Sequence, residues 1–176
     1  YVAPRNAMER QLVEIWENLL EVRRIGVCDD FFSLGGHSLT AARLAAKVEA
    51  ATGISMPVSS LLSAPTVERL ARLLTGEVQR ETGVLVPFRQ TGTRPPLFMV
   101  AGVGGHVLIF RELAELLGED QPVYGVEGIG LDGKEAPLNG MEDIARRYIR
   151  EIRSVQPRGP YFIAGWSMGG VIAYEV

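Results

Sequence analysis

The chain has 176 residues, 47% hydrophobic and 22% charged, an ordinary globular composition with length for one large domain or two small ones. A net charge of −3 with scattered Lys and Arg excludes the electrostatic footprint of a nucleic-acid or anionic-membrane binder, so neither is expected as a partner. Cys28 is the single cysteine, no apolar run nears the roughly 20 residues of a membrane span, and no basic-then-apolar leader is present, so a cytoplasmic protein without internal disulfides is expected.

From Asn6 onward, apolar residues at Met8, Leu12, Ile15, Trp16, Leu19 and Leu20 share one helical face, with Asn6 as N-cap and Glu9 as its partner three residues on. After a loop rich in Gly and Asp, Leu39 to Thr52 is Ala-rich and free of Gly and Pro, and Gly53 stops it, so Ser38 falls at a helix N-terminus. A third periodic stretch, Thr66 to Leu74, starts after Pro65 and ends before Gly76. Residues 1–76 are thus expected to form a small all-α bundle with no strand. Residues 77–83 are polar and charged and read as a linker. Beyond them come apolar runs at Val84–Phe88 and Leu97–Val100, a helix near Val107–Leu117 closed by Gly118, and a strand at Val123–Val126. A helix near Met141–Val155 and a strand at Tyr161–Ala164 follow. Such alternation predicts a parallel sheet covered by helices on both faces, a second domain of α/β class over 84–176. Tyr1 in place of an initiator Met, and Val176 inside a helical pattern, suggest a segment of something longer.

The run Asp29-Asp30-Phe31-Phe32-Ser33-Leu34-Gly35-Gly36-His37-Ser38-Leu39 leads into the second helix. Its glycines allow a sharp turn that leaves the Ser38 hydroxyl uncovered at a helix start, where free N–H groups and the dipole favour an attached phosphodiester. Phe31 and Phe32 would anchor the loop. On its own, Ser38 could equally be a plain N-cap. The whole run, however, resembles the attachment motif of peptidyl carrier proteins, D-x-F-F-x-L-G-G-x-S-[LI], and every fixed position matches. The resemblance spans Met8 to Leu74, with Tyr1–Arg5 similar to the connector after an adenylation domain. It implies that a phosphopantetheinyl transferase attaches 4′-phosphopantetheine to Ser38, and that the thiol of this cofactor carries an acyl or peptidyl thioester substrate. His37 stands where the family varies and receives no catalytic role. Leu39 and the exposed part of its helix are the expected docking face.

Phe162-Ile163-Ala164-Gly165-Trp166-Ser167-Met168-Gly169 reads as a buried strand entering G-x-S-x-G, a tight strand-to-helix turn that exposes the serine Oγ on strained backbone. The apolar strand before it and the helix start after it are the context the motif needs. An oxyanion needs two preorganised N–H donors. One is expected from Met168, and the other, Val103, from the loop Ala101-Gly102-Val103-Gly104-Gly105-His106. That loop lacks G-x-G-x-x-G, against a dinucleotide site. No metal site is expected. Residues 84–176, including the approach Gln156-Pro157-Arg158-Gly159-Pro160-Tyr161, resemble the type I thioesterases that end nonribosomal peptide and polyketide assembly lines. Ala101 departs from the pattern, since members often carry His there. In this fold the triad acid and base follow the nucleophile, which places them beyond Val176. His106 with Asp132 or Asp143 is the weaker alternative, in the wrong chain order.

Together the resemblances imply part of a nonribosomal peptide synthetase: a carrier followed by the N-terminal half of an α/β-hydrolase thioesterase, up to its nucleophile elbow. The first holds an acyl group that the second releases by hydrolysis or cyclisation, with upstream adenylation and condensation domains as partners. The chain by itself is expected to be inactive. The alternatives are a carrier-only binding module with a degenerate hydrolase half, and an editing hydrolase fused to a carrier.

Overall fold

The structure is a computed structural model that describes residues 1–78, 83–131 and 135–176. It divides into two compact units, Tyr1–Glu81 and Thr82–Val176. Most of the expected linker, 79–82, lies outside the described residues. No helix among those residues is long and apolar enough to cross a membrane.

The first unit holds α1 (Ala7–Leu20), α2 (Ser38–Thr52), α3 (Ser60–Ser63) and α4 (Val67–Leu74). Asn6 caps α1, its Oδ1 accepting the Glu9 N–H at 2.8 Å. The Glu9 carboxylate interacts with the Asn6 backbone N–H in return. It also reaches one residue further back, accepting the Arg5 N–H at 2.6 Å and the Arg5 guanidinium at 2.7 Å, while the same guanidinium reaches Glu68 of α4 at 2.7 Å. The segment before α1 is therefore tied into the unit. The Val27 N–H donates to the Val2 carbonyl at 2.9 Å, and the Arg24 guanidinium lies 5.0 Å from the centre of the Tyr1 ring.

The buried stripe of α1, Leu12, Val13 and Trp16, meets Ala41, Leu44 and Val48 of α2, and α4 adds Val67, Leu70, Ala71, Leu73 and Leu74. Thr66 caps α4 through a 3.3 Å bond from the Arg69 N–H, and Gly53 ends α2 at φ 72°. The one-turn helix α3 was outside the sequence expectation because four residues are too few to show a period. It buries Leu61 completely. No named strand is present among the described residues of this unit. A single bridge, Asp30 to Thr66, together with the Phe31 N–H on the Pro65 carbonyl at 2.7 Å, fixes the loop before α2 against α4.

The second unit runs β1 (Leu85–Arg89), β2 (Leu97–Val100), a 3-10 turn at Leu108–Phe110 leading into α5 (Arg111–Leu116), β3 (Val123–Val126), α6 (Met141–Val155), β4 (Phe162–Gly165) and α7 (Met168–Glu175). The sheet order is β1-β3-β2-β4. β2 is parallel to both neighbours, as alternation with helices requires, but β1 is antiparallel to β3, which corrects the expectation of an all-parallel sheet. The reason is the connection between β1 and β2. Residues 90–96 contain no helix, and a strand needs a long crossover to return parallel. The β1 register also slips between Pro87 and Arg89, where proline has no N–H for the ladder. Arg89 then turns its guanidinium onto the C-terminal end of α5, donating to the Ala114 carbonyl at 3.0 Å and the Gly118 carbonyl at 2.7 Å.

Val84, Phe98, Val100, Val126, Ile129, Tyr148, Ile152 and Ile172 form one buried cluster that joins sheet, α6 and α7. The expectation of cover on both faces is not met at β4: its burial is slight, with Phe162 51% exposed, and β2 is its single partner. Gln156 shapes the approach to that strand, its Nε2 donating to the carbonyls of Arg158 at 3.0 Å and Pro160 at 2.8 Å.

The Arg5 bonds hold the nearly buried Glu9 carboxyl below its ordinary pKa. A depressed folded-state value means stability that is present above the unfolded pKa of about 4.3 and lost as pH falls through the folded one. Urea unfolding of the first unit, followed by Trp16 fluorescence in a Trp166→Phe background, is therefore expected to show a falling midpoint on acidification below about pH 4.3. Glu9→Gln should lower the midpoint at neutral pH and flatten that acid dependence; an unchanged slope would show that the network contributes nothing.

Candidate functional site

The loop before α2 uses almost every residue of its motif to hold itself in place. Asp30 Oδ1 accepts the N–H groups of Phe32 and Ser33, both at 2.9 Å, and Asp29 accepts that of Gly26 at 2.7 Å. Phe31 is fully buried, edge-on to Trp16 with ring centres 5.1 Å apart. Gly36 lies so close over the Phe31 ring and carbonyl that any Cβ there would run into them. His37 takes the N-cap position, and the Thr40 hydroxyl accepts its N–H at 2.7 Å. Ser38 is thus the first residue of the helix and does not cap it. Its hydroxyl has no hydrogen-bond partner among the described residues, and Leu39 beside it is 58% exposed. A hydroxyl without a structural task, at the positive end of a 15-residue helix, fits an attached phosphodiester.

The second serine is strained where the first is relaxed. Ser167 has φ 55° and ψ −126°, outside the wells a non-glycine residue prefers. The turn is forced by backbone packed on backbone. A Cβ on Gly165 would collide with Gly169, and a Cβ on Gly169 with the carbonyls of Val100 and Ala101 at the end of β2. The Trp166 N–H is held by the Val100 carbonyl at 3.3 Å. Gly102 packs on the same turn, its Cβ position lying 2.9 Å from the Trp166 carbonyl and 3.3 Å from Ser167 Cβ. The structure therefore brings the loop after β2 against the elbow.

That loop closes through the Gly105 N–H on the Gly102 carbonyl at 3.0 Å, with Val103 at its tip, 81% exposed. Neither the Val103 N–H nor the Met168 N–H has an acceptor among the described residues, and Met168 opens α7. Ala101 is buried, its N–H donating to the Val126 carbonyl at 3.0 Å.

No acid or base is joined to Ser167 by a hydrogen bond among the described residues. His106 has an exposed ring with no hydrogen bond to Ser167, and partial desolvation pushes its pKa down. Asp143 sits in the first turn of α6 facing Arg146 at 3.8 Å, Asp132 lies outside the described residues, and His37 belongs to the other unit. Among the described residues no group of three His, Cys, Asp or Glu could hold a metal ion. No sequence motif marks Gly128, whose N–H donates to the Gly105 carbonyl of the Val103 turn at 2.9 Å, or Glu127 before it, whose carbonyl accepts the Tyr148 hydroxyl; Tyr148 reads only as one more apolar position of α6.

Residues 10–74 match the family described as the phosphopantetheine attachment site, and residues 95–176 match the thioesterase domain family. A carrier unit that bears 4′-phosphopantetheine is thus followed by a thioesterase-family unit. The chain is 40% identical over 168 residues to a dimodular nonribosomal peptide synthase of Bacillus subtilis, covering 95% of this chain and 7% of that protein. It is 36% identical over 176 residues to the indigoidine synthase of Streptomyces lavendulae, covering 99% of this chain and 14% of that one. Among solved structures, a four-domain nonribosomal peptide synthetase in its holo form, bound to AMP and glycine, matches with TM-score 0.56 and 36% identity over 99% of this chain and 13% of its own. The chain is similar to the carrier and thioesterase regions of nonribosomal peptide synthetases, and it spans a small fraction of the length of these relatives.

The geometry around Ser38 separates residues that hold the loop from the one that is spare. Gly36→Ala is expected to destabilise the first unit by about 1–3 kcal/mol through overpacking on Phe31, and Ser38→Ala to change stability by no more than about 0.5 kcal/mol. Paired urea melts measure both; a large loss from Ser38→Ala would mean that the hydroxyl has a structural role.

Proposed function

We propose that Ser38 is the attachment point of 4′-phosphopantetheine and that Ser167 is the nucleophile that takes the acyl group from it. The domains are taken as 1–76, a linker over 77–83, and 84–176, the last being the N-terminal half of an α/β-hydrolase. When bound, the cofactor supplies a thiol that carries the acyl or peptidyl chain as a thioester. Ser167 Oγ then forms an ester bond to the acyl carbon as the C–S bond breaks and the thiol leaves with a proton. The N–H groups of Met168 and Val103 stabilise the oxyanion of the tetrahedral intermediate. The acid and base that move the proton come from outside this chain, so the chain alone is inactive. Water or an internal nucleophile finishes the release, by hydrolysis or cyclisation. Adenylation and condensation domains load the carrier after a phosphopantetheinyl transferase has modified it, in a cytoplasmic setting that suits the free thiol of Cys28.

The observation that carries this reading is the backbone of Ser167. A side-chain-bearing residue at φ 55°, ψ −126° costs on the order of 1–3 kcal/mol and persists because the end of β2, the end of β4 and the first turn of α7 are packed on one another around it. A carrier-only role gives that strain no purpose.

In the full synthetase, Ser38→Ala is expected to abolish the mass added by coenzyme A and a transferase. Ser167→Ala should load normally but leave the acyl group on the carrier, with release slowed by roughly four orders of magnitude. Intact-mass analysis locates the stalled group. Undiminished release from Ser167→Ala would end the nucleophile assignment and leave the carrier-only reading.

A further inference from the structure

The turn that carries Val103 does not stand free. Its Gly105 carbonyl accepts the Gly128 N–H at 2.9 Å, and the two glycines meet so closely that a Cβ on Gly105 would lie 3.0 Å from the Gly128 Cα. The peptide between Glu127 and Gly128 thus holds the turn at Gly105. That peptide is itself fixed at its carbonyl and through the residue before it. The Glu127 carbonyl accepts the hydroxyl of Tyr148 at 2.9 Å, in a buried bond, and the Glu127 N–H donates to the Val84 carbonyl at 2.7 Å.

Tyr148 is 3% exposed within the cluster that also contains Ile152 of its own helix and Ile172 of α7. In this chain of bonds it is the one side chain; all the others are backbone groups. Donation to the carbonyl of a peptide strengthens the donor at its N–H, so the Tyr148 hydroxyl both places and polarises the group that holds Gly105.

We propose that Tyr148 is a positioning residue for acyl transfer at Ser167. Its hydroxyl pins the Glu127–Gly128 peptide, which holds the Gly102–Gly105 turn and so keeps the Val103 N–H over the elbow. Phenylalanine would fill the same apolar site, so the hydroxyl is what the position requires. Burial, and after it the charge of Glu127, pushes the Tyr148 pKa up to about 12, which keeps the hydroxyl a donor at every working pH. The inference rests on the proposed roles of Ser167 and Val103.

The test uses the full synthetase with p-nitrophenyl butyrate as acyl probe and butylboronic acid as an inhibitor that forms a tetrahedral adduct on a nucleophilic serine. Ser167→Ala defines the hydrolysis due to the site. Tyr148→Phe is expected to lower kcat roughly tenfold and weaken boronate inhibition by about the same factor, with KM changed by less than about twofold. Ile152→Val, a core change on the same helix, serves as the stability control. If Tyr148→Phe leaves kcat and boronate inhibition unchanged, or moves them no more than Ile152→Val does, the inference is overturned. Should Tyr148→Phe fail to fold, the same comparison is read on Gly128→Ala, whose methyl would sit 3.1 Å from the Gly105 Cα. Hydrolysis that survives Ser167→Ala overturns the nucleophile reading instead, and the positioning role falls with it.

Discussion

The carbonyls of Val100 and Ala101 occupy the space that a Cβ of Gly169 would need, and Gly169 occupies the space that a Cβ of Gly165 would need. This backbone-on-backbone contact joins the end of β2, the end of β4 and the first turn of α7 with no side chain between them. Three consequences follow from it. Ser167 is held at positive φ, α7 begins directly after it with the Met168 N–H lacking an acceptor among the described residues, and the loop after β2 packs against the elbow through Gly102. If Ser167 is the nucleophile proposed above, with the Met168 and Val103 N–H groups as its oxyanion donors, their placing needs no flexible side chain and leaves little to reorganise when charge develops.

Ser38 shares with Ser167 the start of a helix and a glycine close by, and differs in energy. It has ordinary helical backbone at the first position of α2, with His37 and Thr40 closing the cap around it. Nothing about it is strained. The difference suits the roles proposed for them: a tether has to be reachable and chemically ordinary, whereas a nucleophile has to be aimed. The motif before Ser38 spends its buried residues accordingly. Phe31, Gly36 and Asp30 stabilise the loop, and the hydroxyl is left over.

The two units also differ in how their ends are secured. In the first, a partly buried ion network of Arg5, Glu9 and Glu68 ties the segment before α1 to α4, across many intervening residues. In the second, Arg89 closes the C-terminal end of α5 from the neighbouring strand, which allows a six-residue helix to sit beside the sheet. In both arrangements one guanidinium satisfies several oxygens at once, Arg5 through Nε and Nη2 and Arg89 through Nη1.

The placing of Ser38 at the start of α2 and of Ser167 at a tight strand-to-helix turn was legible in the amino-acid order, because each lies in a motif whose residues act on one another within a few positions. The helices α1, α2, α4 and α6 and the strands β2 and β3 were legible for the same reason: apolar period, caps and stop residues are local. What was not legible depends on groups far apart in sequence. The four residues of α3 carry no period of their own. The direction of β1 is decided by which strand it meets, and the Arg5 guanidinium that binds the Glu9 carboxylate also reaches Glu68 of α4. The approach of Gly102 to Ser167, and the run of bonds from Tyr148 through Glu127 and Gly128 to Gly105, join backbone groups that carry no residue-specific label. A backbone carbonyl or N–H is the same in every residue, so only the tertiary arrangement could decide which of them would meet.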